Sequence, residues 1–168
     1  MNNQITINIV RFILLVMAQI FIFNHLNFFG FVNPMVYVIF LYWYPIRENR
    51  ALFMFIGFLL GLVIDIFSDT LALHAVSTLT IAYARPIIMR FCFGVNYEFQ
   101  TFSFKNTTRL QRLTFLALLV VAHHLVFFLL EFLSLSHLLL LLKKLLLTSI
   151  LTLFLCVLFS SLFKVQSE

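Results

Sequence analysis

The chain has 168 residues, of which 63% are hydrophobic and 10% charged, against roughly half and about a quarter in an ordinary soluble domain. A soluble globule of this length leaves about a third of its unfolded surface in water, and 11 Lys/Arg with 6 Asp/Glu cannot cover that area. A soluble enzyme, a secreted module and a disordered regulator are thereby excluded. The composition is that of an integral membrane protein with room for about six spans of roughly 20 residues.

In such a chain a net charge of +5 reports orientation. No window interleaves a basic run with exposed aromatics, so nucleic acid is not expected as a partner. The 23 phenylalanines suit lipid-facing positions.

The first apolar segment runs from Ile5 to Phe23, with Arg11 in its first half. It lacks a basic n-region, and no small-x-small site follows it, so it is expected to be retained as a span. Asn24-His25-Leu26-Asn27 breaks it. The second segment covers Phe28 to Tyr44. Asn33-Pro34 disfavours helix near its start, and Tyr42-Trp43-Tyr44 reads as an interfacial aromatic belt. A polar turn, Pro45 to Arg50, follows.

The third segment is Ala51 to Phe67. Ser68-Asp69-Thr70 then offers N-cap oxygens to the next helix. The fourth runs from Leu71 to Met89, with Pro86 expected to end or kink it. Gly94 to Arg112 is the longest polar stretch. The fifth segment spans Leu113 to Leu133. Lys143-Lys144 interrupts the last apolar run, and two ammonium groups at mid-membrane are costly. The expected solution is an interfacial piece, Ser136 to Leu142, and then a span from Leu145 to Phe163. The prediction is a single transmembrane domain over residues 1–168, all-α, with six helices.

With the N-terminus inside, the inner face receives Arg47, Arg50, Arg90, Lys105, Arg109, Arg112 and Lys164, with Arg11 and Arg85 in reach by snorkelling. The outer face receives Lys143 and Lys144. Nine against two predicts both termini in the cytoplasm. Arg47, Arg50, Lys105, Arg109 and Arg112 are then cytoplasmic basic loops. Cys92 and Cys156 fall outside exported loops, so no structural disulfide is expected.

Gly57, Gly61 and Asp65 recur every four residues and share one helix face. Gly57-x-x-x-Gly61 invites close approach of another helix. Asp65 lies about 22 Å along the helix from Arg50, near the outer interface. It is either a satisfied carboxylate on a packing face or a contact for a partner or substrate. Asp69, His74 and Glu131 complete a possible outer-face polar cluster. His123 and His124 lie mid-segment and point about 100° apart, so one metal cannot take both from a helix. His124 and Glu131 share a face. Helix–helix hydrogen bonding and a functional role are both open for them. No phosphate loop, nucleophile elbow or Cys/His spacing is present, so no catalytic residue, cofactor or metal is expected.

Four stretches between Asn33 and Phe93 resemble the rod shape-determining protein MreD family. They are the proline-led segment Pro34 to Tyr44 with its basic turn Pro45 to Arg50, the helix Gly57 to Asp65, the turn Ser68-Asp69-Thr70 with Leu71-Ala72-Leu73-His74-Ala75, and Ile81-Ala82-Tyr83-Ala84-Arg85-Pro86. The family often carries glycine where this chain has Ala72, which leaves the backbone geometry of that turn open. The resemblance implies a non-enzymatic component of the complex that places side-wall peptidoglycan in the bacterial inner membrane. It implies as partners an MreC-like protein, an MreB-like filament and a wall synthase paired with a penicillin-binding transpeptidase. It also implies a six-helix bundle similar to the substrate-binding subunits of vitamin transporters. Taken literally, that likeness offers an alternative, a small-solute-binding subunit of a transporter.

Overall fold

A computed structural model describes residues 2–26, 28, 30, 32–46, 49–94, 102–132 and 138–162. Among these the chain is all-α, with six helices: α1 (Asn2–Phe21), α2 (Ile39–Trp43), α3 (Arg50–Ser68), α4 (Leu73–Phe93), α5 (Arg109–Phe132) and α6 (Leu138–Leu162). Four stretches are long and apolar enough to cross a membrane: Ile5–His25, Arg50–Ser68, Arg109–Phe132 and Leu138–Ser161. The chain is thus a multi-pass membrane protein with four candidate spans. Exposed Ile66, Ile87, Phe91, Leu139 and Ile150 supply the apolar outer surface that lipid requires.

The remaining two helices depart from the expected spans for different reasons. Helix α4, at 21 residues, is about 31 Å long. Its Ser77, Thr78, Thr80, Arg85 and Arg90 make it too polar for that set. Pro86 lies inside it, and the helix continues to Phe93. The second segment is the larger departure. Among its described residues only Val36–Val38, a 3₁₀ turn, and the five residues of α2 are helical. Yet Val32 and the whole of residues 34–41 are buried. Irregular backbone at this depth is tolerated only inside protein. Here α1, α5 and α6 all pack against residues 36–43.

Packing then proceeds in order: α3 lies along α4, α4 along α5, α5 along α6, and α1 closes on α3. Helix starts follow local rules. The Asn49 side chain accepts the Ala51 and Leu52 amides at 2.8 and 3.4 Å and starts α3. Thr108 and Gln111 form a reciprocal capping box at 3.0 and 3.1 Å. This box starts α5 four residues before the expected Leu113, so Arg109 and Arg112 are first-turn helix residues. Arg50 likewise opens α3.

Three further expectations are corrected. Lys143-Lys144 does not divide the last segment, because α6 runs unbroken from Leu138. Lys144 tolerates the helix by pairing with Glu131 at 3.3 Å and lying over the Phe132 ring at 5.1 Å. The aromatic belt turns inward: Trp43 and Tyr44 are buried, and Tyr44 packs on Phe53 at 4.6 Å. Arg85 does not snorkel to lipid. It is 4% exposed, donates to the Tyr44 carbonyl at the end of α2, and lies over Phe53 at 4.8 Å.

Candidate functional site

The polar side chains of the apolar helices converge on two places. The first is the α3–α4 turn. Asp65 is 3% exposed, and its carboxylate accepts the His74 amide at 3.0 Å and the Ala75 amide at 2.8 Å. The Thr70 hydroxyl also donates to it. Asp65 therefore caps α4 from the preceding helix, where a negative charge meets the unpaired N–H groups and the positive end of the dipole. This corrects the expected cap. The N-cap residue is Ala72, without a side-chain cap, while Asp69 is exposed and ends α3. Asp69 and Ala72 have φ of 53° and 59°. That region costs an ordinary L-residue roughly 1–2 kcal/mol, and aspartate tolerates it better than alanine.

The glycines set how closely α3 and α4 approach. A Cβ at Gly61 would fall 2.5 Å from both the Ala75 Cα and the His74 carbonyl oxygen. At Gly57 it would meet the Ala82 Cβ at an ordinary 3.5 Å. Only Gly61 is sterically required, although both lie on the same stripe.

The second place surrounds the irregular segment. Gln19 of α1 donates to the Pro34 carbonyl at 3.0 Å and to Asn24 at 2.9 Å, and it accepts the Tyr37 amide at 3.4 Å. Asn24 passes the connection to Ser68 at 2.8 Å. From α6, the Thr152 hydroxyl oxygen accepts the Met35 amide at 3.1 Å, and the Cys156 thiol faces the Val36 carbonyl at 3.8 Å. His124 Nδ1 lies 2.7 Å from the Val120 carbonyl, which can only accept. Nδ1 therefore carries the proton, and Nε2 accepts from Thr152 at 3.2 Å.

At the centre, the Tyr37 hydroxyl touches His74 Nδ1 at 2.8 Å and His123 Nε2 at 3.0 Å. The three residues come from the segment, α4 and α5, and all are buried. Tyr37 is 0% exposed. His74 also packs on Phe127, with ring centroids 4.7 Å apart. Buried atoms without a partner among the described residues include His123 Nδ1, Arg85 Nε, Thr148 Oγ1 and Ser149 Oγ.

The expected outer-face cluster is therefore rearranged. His74 joins Tyr37 and His123. Glu131 leaves for Lys144, and Asp69 stands apart. Gln19, Tyr37 and Thr152 were not anticipated. A polar residue in an otherwise apolar helix was the available signal for Gln19 and Thr152. At the opposite end, Arg50 donates to the Tyr83 carbonyl at 3.0 Å, and Arg112 to the Phe104 carbonyl at 2.8 Å. Arg109 is exposed. Arg47 and the Lys105 side chain lie outside the described residues.

Chemically, the arrangement completes backbone hydrogen bonds and holds two imidazoles against one phenol. Among the described residues no group of three His, Cys, Asp or Glu could hold a metal ion. Compared with protein-family models, curated proteins and solved structures, the chain matches none.

Proposed function

We propose that the chain is a non-enzymatic membrane scaffold of side-wall peptidoglycan elongation, the role that its resemblance to the MreD family implies. One observation carries this reading. Three of the four resembling stretches fall in a single unit, the α3–α4 hairpin. Gly61 permits the close approach, Asp65 caps α4, and Ala72 adopts the left-handed conformation at the place where the family often has glycine. These residues shape and brace a hairpin and need no reacting group. Six helices among the described residues, four of them long and apolar enough to span, support a helical membrane bundle of that kind. The nine-to-two distribution of basic residues supports cytoplasmic termini. An MreC-like helix, a synthase–transpeptidase pair and an MreB-like filament are the partners in this reading.

Deleting the gene in its own host tests it. Cells should lose rod shape and recover it on complementation, and a tagged copy should co-purify an MreC-like protein. Unchanged shape and no such partner would refute the scaffold.

A second reading, a small-solute-binding subunit, is favoured by the buried Tyr37–His74–His123 cluster near the Asp65 end. Co-purification with a transporter ATPase, and thermal stabilisation by a vitamin-sized solute, would replace the scaffold with this alternative.

A further inference from the structure

The Tyr37 hydroxyl has one proton and two imidazole neighbours, so it donates to one and accepts from the other. Two arrangements satisfy it. If Tyr37 donates to His123 Nε2, then His123 Nδ1 carries a proton with no acceptor. If His123 Nε2 donates to Tyr37, then Nδ1 holds only an unused lone pair, and Tyr37 donates to His74 Nδ1; the His74 proton then sits on Nε2, which is not among the buried atoms without a partner. Buried unpaired donors are rarer and costlier than under-satisfied acceptors. The geometry therefore assigns the direction His123 to Tyr37 to His74.

This order exists only while both imidazoles are neutral. A proton added to His74 Nδ1 turns that atom from acceptor to donor, and the Tyr37 O–H then points at no acceptor. A proton on His123 creates a buried N–H without a partner, beside His124. Either change also places a charge in a site that is nearly closed to water. The charged groups around the cluster favour His74 as the entry point. Asp65 on α3 faces it. Glu131 on α5 is already paired with Lys144 on α6. Arg85 on α4 and Arg11 on α1 lie toward the other end, over Phe53 and Trp43.

We propose that Tyr37, held between His74 and His123, is a proton-operated latch that keeps residues 32–38 inside the bundle when the imidazoles are neutral and releases them on acidification.

The chain carries its own reporter. Trp43, its single tryptophan, ends α2 directly after the latched segment and is 8% exposed. In lipid nanodiscs, lowering the pH from about 8 to about 3.5 should raise acrylamide quenching of Trp43 roughly twofold, reversibly. Tyr37→Phe should show the raised quenching at both pH values. The double variant His74→Asn with His123→Gln keeps an acceptor near the Nδ1 position and a donor near the Nε2 position, but it takes up no proton in this range. It should stay at the low value throughout. A flat response from the unaltered chain overturns the latch. So does a double variant that responds as strongly as the unaltered chain, which would point to Asp65 or Glu131. Amide exchange needs no variant. Corrected for intrinsic pH dependence, the Met35 and Tyr37 amides should lose about tenfold or more of their protection on acidification, while Leu60 keeps its own. Equal protection at both pH values likewise overturns the proposal.

Discussion

The α3–α4 hairpin and the irregular segment solve one problem, backbone polar groups in a nonpolar medium, in opposite ways. In the hairpin the helices satisfy their own backbone, and the turn is short. One carboxylate, Asp65, closes the exposed end of α4 from nine and ten residues upstream. In the segment the backbone leaves helical geometry while still buried. Side chains from distant helices must complete it: Gln19 from α1, and Thr152 with Cys156 from α6. Polar residues in this membrane bundle thus mark where helices stop, and they sit on whichever neighbour faces the gap.

The contrast breaks most sharply at Gly61. Gly61→Ala should cost about 3 kcal/mol in denaturation from detergent micelles, because the new methyl group meets backbone on α4. Gly57→Ala should stay within about 0.5 kcal/mol of the parent. Equal losses would mean that the stripe acts as a uniform packing face.

Asp65→Ala should cost about 2 kcal/mol, as two buried amides lose a charged acceptor. Asp65→Asn should recover about half of this by the same measurement, since one amide oxygen still accepts. If Asp65→Asn were as damaging as Asp65→Ala, the charge rather than the cap geometry would dominate.

Thr152→Val tests the segment. It should cost about 1 kcal/mol and speed exchange of the Met35 amide, whose acceptor disappears. Thr80→Val is the matched control, because the exposed Thr80 hydroxyl donates within its own helix, to the Val76 carbonyl at 2.7 Å. Its stability should be unchanged.

The smallest effect is a gain. Ala72→Gly relieves a left-handed alanine but gives the unfolded chain more entropy to lose on folding, so a net rise of about 0.5 kcal/mol in stability is expected. A loss would show that the Ala72 methyl group makes a contact that outweighs its strain.

The hairpin was largely legible because its logic is local. The four-residue spacing of Gly57, Gly61 and Asp65 follows from helix period alone, and the α3 boundaries shift by only one residue at each end. Thr108-x-x-Gln111 was equally local, and a search for capping boxes finds it. The direction of Asp65 toward α4 was not legible, because Ser68, Asp69 and Thr70 were nearer candidates for the same amides. In the segment, Asn33-Pro34 marked the irregular start, but the partners that complete its backbone were not legible. Thr152 serves Met35 across 117 positions, and Tyr37 meets His123 across 86.

Composition alone determined that this chain lives in a membrane, and apolar period determined where most helices run, because lipid imposes length and hydropathy on each stretch independently. Which polar residue completes which backbone group was decided only by tertiary packing. A buried hydrogen bond depends on the final separation of two atoms, and neither residue carries that distance in its own stretch of sequence.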